Sequence, residues 1–440
     1  LPGKQYAIDG GRPLVGKIAV AGAKNAVTKQ IVATLLCDEP CVLENVPASS
    51  EVEATLAMLS TLGTHHAWLR PNTLVLHTPQ LASCGIGRQH ERLNRIPLLA
   101  LGPLLHRAGQ AWVPAPGGCA IGSRQTDFHL AVLRAMGARA AITDNGFAAR
   151  GGLVGARLVL PYPSVGATEN ALLAGVLAAG RTEIVNAAME PEIGDTIAML
   201  RSMGARIRLA GPRRIVLEGV RRLVGTRHRV MPDRTEAASF AMAAAATAGR
   251  VEIVGAQRCS LAPFLKVFRA LGGGWSEGPK SVAFFRQGPL RPVSVESGPY
   301  PGFSSDWLPP LVVLLTQARG RSTVHETVFE DRLAYAVRLG AAGARLTVSD
   351  RCLVGRGCRF AGQGHFHSCQ IAPSRLRGAP LVAPDLRGGF AMILAALVAD
   401  GTTHLAHVER VERGYAELDE KLLTLGVQLQ TTAGLSRSAA

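Results

Sequence analysis

The residues best suited to chemistry in this chain stand in a short glycine-rich stretch, Pro116-Gly-Gly-Cys119-Ala-Ile-Gly122-Ser-Arg124. Three glycines around one cysteine make a sterically open loop, an unusual setting for a buried structural thiol. Arg124 favours the thiolate electrostatically, which makes Cys119 a candidate reactive thiol; a bystander thiol is the competing account. His129 follows on a helix as either a partner or a packed side chain. A second candidate is Gly22-Ala-Lys24-Asn25, between the strand-like Lys17-Ile-Ala-Val20 and an apolar helical stretch. A lysine at a strand-to-helix turn, beside free backbone amides, can hold a phosphate, although a solvated surface lysine fits the same residues. Arginines also stand beside acids at Asp233-Arg234, Asp331-Arg332, Asp385-Leu-Arg387 and Glu412-Arg413-Gly414. Singly these read as surface ion pairs of little worth. Converging with Lys24, Arg95 and Arg124 on one cleft, they would suit a small substrate carrying both phosphate and carboxylate.

Two other patterns are set aside. Gly11-Arg-Pro-Leu-Val-Gly16-Lys17 begins like a P-loop, but Ile18 stands where Mg²⁺ needs a hydroxyl and the following residues alternate like a strand. Cys352, Cys358, His365, His367 and Cys369 suggest zinc, yet C-x6-H-x-H-x-C lacks the close cysteine pairs of structural sites. The expectation is a glycine-rich surface excursion, with no metal and no cofactor.

The elements that must position these residues repeat. Helical apolar spacing ending in Leu-Gly or Met-Gly, then a β-like run, recurs with closing glycines at 63, 137, 204, 272, 343 and 426. Each glycine suits the left-handed position after a helix. Runs such as Arg206-Ile-Arg-Leu and Arg345-Leu-Thr-Val then read as strands. The steps of 74, 67, 68, 71 and 83 residues are too long for a solenoid. Six small α/β units, divided three and three into two pseudo-symmetric domains, fit better, and a cleft between domains is a natural ligand site.

Composition bounds the function. The chain has 440 residues, 47% hydrophobic and 18% charged, which suits a multidomain globular protein. Its net charge of +16 favours anionic partners. Only seven of the 48 basic residues are lysines, the arginines are scattered, and aromatics are 5%, which argues against nucleic acid. Eight cysteines are too few for a disulfide framework at this length, and the apolar runs 96–105 and 391–398 are too short to span a bilayer. The opening Leu-Pro-Gly-Lys-Gln shows no signal peptide, so cytoplasm is the expected compartment.

Over nearly its whole length the chain resembles the UDP-N-acetylglucosamine enolpyruvyl transferases (1-carboxyvinyltransferases). The resemblance rests on Gly22-Ala-Lys-Asn25, Ala100-Leu-Gly-Pro103, the Cys119 loop, Ser164-Val-Gly-Ala-Thr168, Glu190-Pro-Glu-Ile-Gly-Asp-Thr196 and Pro232-Asp-Arg-Thr-Glu236, and continues through Glu326-Thr-Val-Phe-Glu330, Asp385-Leu-Arg387 and Arg413-Gly-Tyr415. The shikimate-pathway enzyme of the same fold lacks the cysteine loop. The resemblance implies two inside-out α/β barrel domains of three repeats each, 24–231 and 1–23 plus 232–440. The active site would lie in the cleft between them, with the Cys loop 116–125 as a lid.

It also implies the chemistry. An acceptor hydroxyl adds to C2 of phosphoenolpyruvate as C3 is protonated, and phosphate then leaves. Cys119 matches the family's proton donor and Asp306 the carboxylate that handles the hydroxyl proton, with Lys24 completing the catalytic set. Lys24, Asn25, Arg124, Arg332, Arg387 and Arg413 match the phosphoenolpyruvate-holding residues. Arg95, Arg124, Gln125, Thr126, Asp127, Phe128, Tyr162, Pro163, Ser164, Val165 and Val328 match positions that hold the nucleotide.

The departures cluster on the nucleotide side. Gln125 replaces a usual proline, Tyr162 a usual lysine near the diphosphate, and Leu99 a frequent tryptophan. Against the family pattern, the segment 358–374 also reads as an insertion. The expected partners are therefore phosphoenolpyruvate and a uridine nucleotide. UDP-N-acetylglucosamine, at its 3-hydroxyl and in peptidoglycan synthesis, is the first reading; UMP, in a nucleoside-antibiotic pathway, is the alternative. A non-catalytic anion- or RNA-binding scaffold is the distant third, since it needs none of Cys119, Asp306, Lys24 and Arg413. If Cys119 is the reactive thiol, an epoxide phosphonate such as fosfomycin adds one equivalent to the chain, and Cys119→Ser abolishes the adduct in intact-mass spectra. An adduct persisting in that variant refutes the assignment.

Overall fold

The computed structural model describes residues 3–117, 126–355 and 357–432. Its architecture follows from helices that are apolar around their whole circumference. All thirteen residues of Arg234–Ala246 and all nine of Leu308–Thr316 are buried, as are twelve of thirteen in Leu386–Val398. Such a helix has no solvent face and must lie inside. These three pack on one another, and the strands form sheets around them.

The chain divides into two compact units, one of residues 22–117 with 126–231 and one built from both chain ends, 3–21 with 232–432. The units are called central and terminal below. Each has its own hydrophobic core. In the central unit the helix Pro97–Ala108 packs against both Lys24–Ala33 and Val165–Gly175.

Six sheets are present among the described residues, three per unit, and they share one plan. Arg157–Val159 pairs in parallel with Arg181–Val185, across the helix Val165–Gly175. A second helix, Pro191–Ser202, then leads to the hairpin Arg206–Leu209 and Arg214–Glu218, which closes the sheet antiparallel. Parallel edge pairs recur for Arg227–Arg229 on Cys41–Glu44, Val15–Ala19 on Arg250–Val254, Ser294–Glu296 on Ser322–His325 and Pro380–Val382 on Thr402–Ala406. The sixth sheet has three strands plus an isolated parallel bridge, Gly85 to Trp112. The first strand, Gln5–Asp9, inserts between Thr402–Ala406 and Gln428–Thr432, so the two chain ends complete one repeat.

The expected fold of three repeats per domain, helices inside and sheets outside, is therefore the observed one. All six closing glycines adopt positive φ, between 84° and 102°. One boundary differs. Ser368–Ala372 is an inner strand, paired with Ser322–His325 and Arg345–Ser349, so the excursion is the hairpin connection over 350–367 and not 358–374.

The glycine requirement can be isolated at Gly204, where an added Cβ meets no atom within 4 Å but φ is 102°. Gly204→Ala should cost roughly 1–3 kcal/mol from backbone strain alone, lowering the melting temperature by a few degrees. Differential scanning calorimetry checks this, and an unchanged midpoint refutes it.

Candidate active site

In the terminal unit the buried helices bring their amino ends together, and the candidate residues sit there. Ser304 accepts the amide of Asp306 at 3.3 Å, shaping the turn Ser305–Trp307 that leads into Leu308–Thr316. Asp385 caps Leu386–Val398 by accepting the amides of Arg387 and Gly388 at 2.9 and 3.2 Å. Asp233 caps Arg234–Ala246 by accepting the amides of Thr235 and Glu236.

The Asp306 carboxylate lies between two guanidiniums. Oδ1 accepts from Arg332 Nη2 at 2.7 Å, and Oδ2 from Arg387 Nε at 3.2 Å. Arg332 also lies 3.7 Å from Asp385. Both arginines are buried, at 3% and 2% exposure. Burial opposes their charge, yet Asp306 and Asp385 hold Arg332, and Tyr415, Asp306 and Asp233 hold Arg387, above the ordinary guanidinium value. Among the described residues, Nη1 and Nη2 of Arg387 and Nε of Arg332 meet no acceptor in hydrogen-bond geometry. Buried donors of this kind suit an anionic ligand.

For Arg332 and Arg387 the acids beside them in sequence are not the main side-chain partners. Arg332 pairs with Asp306 and Asp385, and Arg387 with Asp306. Arg234 is buried with its guanidinium 5.1 Å from the Trp307 ring centroid and 5.7 Å from that of Tyr300. Glu412 holds Lys4 and Tyr6. Arg413 is half-buried at the carboxyl end of Glu409–Glu412. Val328 donates its amide to the buried Glu326 at 2.6 Å, and its carbonyl accepts from Arg359.

In the central unit Lys24 is the first residue of Lys24–Ala33, its Nζ 3.9 Å from Glu51. Asn25 follows on the same helix, and its carbonyl accepts from Lys29 at 2.8 Å. Arg95 precedes the helix Pro97–Ala108 and accepts the amide of Leu98. Thr126, Asp127 and Phe128 open the helix Asp127–Ala135, where Asp127 is exposed and Phe128 packs against the core. Tyr162 accepts the amide of Ser164 at 2.7 Å, Pro163 lies between them, and the Ser164 hydroxyl caps the helix begun by Val165.

His129 is buried and neutral, with its pKa pushed down to about 3 by burial and then by Arg95. A Cβ at Gly166 would come within 3.2 Å of its ring, which explains the glycine in Ser-Val-Gly-Ala-Thr. It is a packed side chain. Cys119, Arg124 and Gln125 lie outside the described residues.

Asp385 and Glu326 were not read as site residues from the sequence. Asp385, two residues before Arg387, carried the signal of a helix cap. Glu326, buried and accepting from Ser297 and Ser305, carried none. One group of four metal-ligand side chains, His325, Cys352, Cys358 and His367, also comes together. The spacing argument against a metal fails for these four, because His325 arrives from another strand.

The sequence profile of the EPSP synthase (3-phosphoshikimate 1-carboxyvinyltransferase) family matches residues 8–422. A UDP-N-acetylglucosamine 1-carboxyvinyltransferase of Protochlamydia amoebophila is 43% identical over 432 residues, covering 96% of this chain and 93% of the relative. One of the same name from Gluconacetobacter diazotrophicus is 41% identical, covering 97% and 99%. Among solved structures, the enolpyruvyl transferase NikO from Streptomyces tendae superposes with a TM-score of 0.87 at 24% identity, over 99% of this chain and all of that one. An EPSP synthase from Acinetobacter baumannii gives 0.74 at 18% identity, over 98% of this chain and 100% of its own.

Glu169, on Val165–Gly175, supplies a pH test within the central unit. Burial, with Glu190 and Glu192 nearby, pushes its pKa up to about 7 against the pull of Lys29. An acid whose folded pKa is raised loses stability as pH climbs from its unfolded value to its folded one. Glu169→Gln should therefore raise the melting temperature at pH 8 by the equivalent of roughly 3 kcal/mol, and change it little at pH 4. Equal gains at both pH values would refute the assignment.

Proposed function

The chain belongs to the EPSP synthase family of enolpyruvyl transferases, and we propose that it transfers the enolpyruvyl group of phosphoenolpyruvate to UDP-N-acetylglucosamine with release of phosphate. The observation that carries this reading is the row Arg332, Asp306, Arg387, a half-buried carboxylate clamped between two buried guanidiniums that keep spare donors. Phosphoenolpyruvate brings a carboxylate and a phosphate, both matched to such forks. As it engages the arginines, it competes with Asp306 and frees a carboxylate oxygen for the acceptor hydroxyl. Lys24, Asn25, Arg124 and Arg413 complete its grip.

In the addition step the acceptor oxygen bonds to C2 while its proton passes to Asp306, and C3 receives a proton from Cys119. In the elimination step the C2–O bond to phosphate breaks and C3 returns a proton, leaving the enol ether. An acid and a base thus serve opposite ends of one double bond. Neither step changes an oxidation state, so no redox cofactor is required.

The acceptor follows from the relatives. Those that are 41–43% identical along nearly the whole chain bear the name of the UDP-sugar enzyme, whereas NikO at 24% speaks for the fold. Arg95, Thr126 to Phe128, Tyr162 to Val165, and Val328 are the residues assigned to the nucleotide, with Gln125 beside the base. Phosphoenolpyruvate and UDP-sugars are cytoplasmic metabolites. No helix among the described residues is long and apolar enough to cross a membrane. The product would be the first committed intermediate of peptidoglycan synthesis.

Phosphate release from phosphoenolpyruvate is expected with UDP-N-acetylglucosamine and not with UMP or shikimate 3-phosphate. Asp306→Asn keeps the shape of the clamp and should lower kcat by roughly 10²–10⁴. Turnover with UMP alone would overturn the acceptor, and an Asp306→Asn variant with unchanged kcat would overturn the base.

A further inference from the structure

The excursion 350–367 and the strand beside it build a second site, unrelated to the reacting groups. His325 ends the strand Ser322–His325, Cys352 and Cys358 lie on the excursion, and His367 immediately precedes the strand Ser368–Ala372. Their four ligand atoms all fall within 4.8 Å of one another, and both histidines are fully buried. Cys352 Sγ is 3.7 Å from Cys358 Sγ and 3.3 Å from His367 Nε2. A tetrahedral zinc ion with the usual bond lengths needs edges of about 3.8 Å between sulfurs and about 3.5 Å between sulfur and nitrogen.

The surroundings orient the imidazoles as metal ligands require. His325 Nδ1 faces Glu296 Oε2 at 3.0 Å, and His367 Nδ1 faces the His365 carbonyl at 2.6 Å. Each outward nitrogen is thereby protonated and each Nε2 is left as a lone-pair donor. His325 Nε2 is buried and meets no hydrogen-bond partner among the described residues. On the sulfur side, the amide of Phe360 donates to Cys358 Sγ at 3.4 Å.

Two other accounts explain less. A disulfide needs about 2.05 Å between sulfurs, and it would leave both imidazoles without a role. A hydrogen-bonded cluster would leave His325 Nε2 an orphan, a costly state for a buried polar atom. His365 offers only its carbonyl, and Cys369 Sγ turns to the Gln370 carbonyl at 3.7 Å.

We propose that His325, Cys352, Cys358 and His367 bind one structural zinc ion. All four positions are filled by protein, which marks a closed structural site and not a catalytic one. The order H-x26-C-x5-C-x8-H hides it from a search for close cysteine pairs. The ion fastens the excursion to the end of the strand that continues into Glu326 and Val328, and Arg359 on the excursion bonds the Val328 carbonyl.

The full chain, purified without chelator, should carry about one zinc by elemental mass spectrometry. Cobalt(II) exchanged into it should show the intense visible bands of a tetrahedral thiolate–imidazole site. Bound zinc should also shield Cys352 and Cys358 from alkylation, read by peptide mass on the wild-type chain. Cys352→Ser with Cys358→Ser should abolish zinc retention, and Glu296→Gln should weaken it about tenfold. If the cysteine variant does not fold, the cobalt spectrum and the shielding decide. A wild-type chain without zinc and without tetrahedral cobalt bands overturns the proposal. A Cys352–Cys358 disulfide in the peptide map does so as well.

Discussion

A helix with no polar face has one place to go, and most of this molecule follows from that. Leu308–Thr316 carries no charged residue, and Arg234–Ala246 is largely alanine beyond its first turn. With such helices inside, the sheets must form the outer layer, and strands expose alternate residues to water as along Thr402–Ala406. Polar chemistry cannot enter through the helix flanks. It is confined to the ends, where amides lack intrahelical partners. Close approach completes the constraint: a Cβ on Gly389 would lie 2.5 Å from Val411, and one on Gly388 would lie 2.9 Å from the side chain of Tyr335.

Charge at those ends is then bound by a second rule, that a buried guanidinium needs a counter-charge or an aromatic face. Arg332 and Arg387 meet it with Asp306, shared between them. Arg387 also lies over Tyr415, whose hydroxyl bonds Ser239 at 2.8 Å. Arg234 lies over the ring faces of Trp307 and Tyr300. The arginines are thus fixed before any ligand arrives. Charge fixed in this way needs little reorganisation when an anion binds to it.

What was legible in the sequence is what the backbone imposes on residue type. A left-handed turn after a helix selects glycine, so the six repeats announced themselves by their closing glycines. Helix caps left marks too, as Asp385 did before Arg387. Pairings across the fold left none. Arg332 stands next to Asp331 in the chain but bonds a carboxylate 26 residues away, and Arg387 reaches the same carboxylate across 81. His325 joins two cysteines and a histidine that local spacing could not connect to it. The end of the excursion was misplaced for a related reason, since Ser368–Ala372 is recognisable as an inner strand only through its partners.

Glu326 shows how such non-local pairings make Asp306 rigid. It is fully buried, and burial pushes its pKa up, although Ser305, Val328, Arg332 and Ser297 all pull the other way. Its oxygens accept from Ser297 at 2.9 Å, Ser305 at 2.6 Å, and the amides of Val328 and Phe329 at 2.6 and 3.1 Å. A carboxyl group taken out of water is tolerable only when its acceptor sites are filled, so these segments must come together at once. Ser305 is the residue before Asp306, and Val328 follows the strand that ends at His325. One buried carboxylate therefore ties the turn holding Asp306 to the sheet edge and to the segment carrying Val328. Asp306 meets its two arginines as part of this braced assembly, the rigidity that the role proposed for its carboxylate would require.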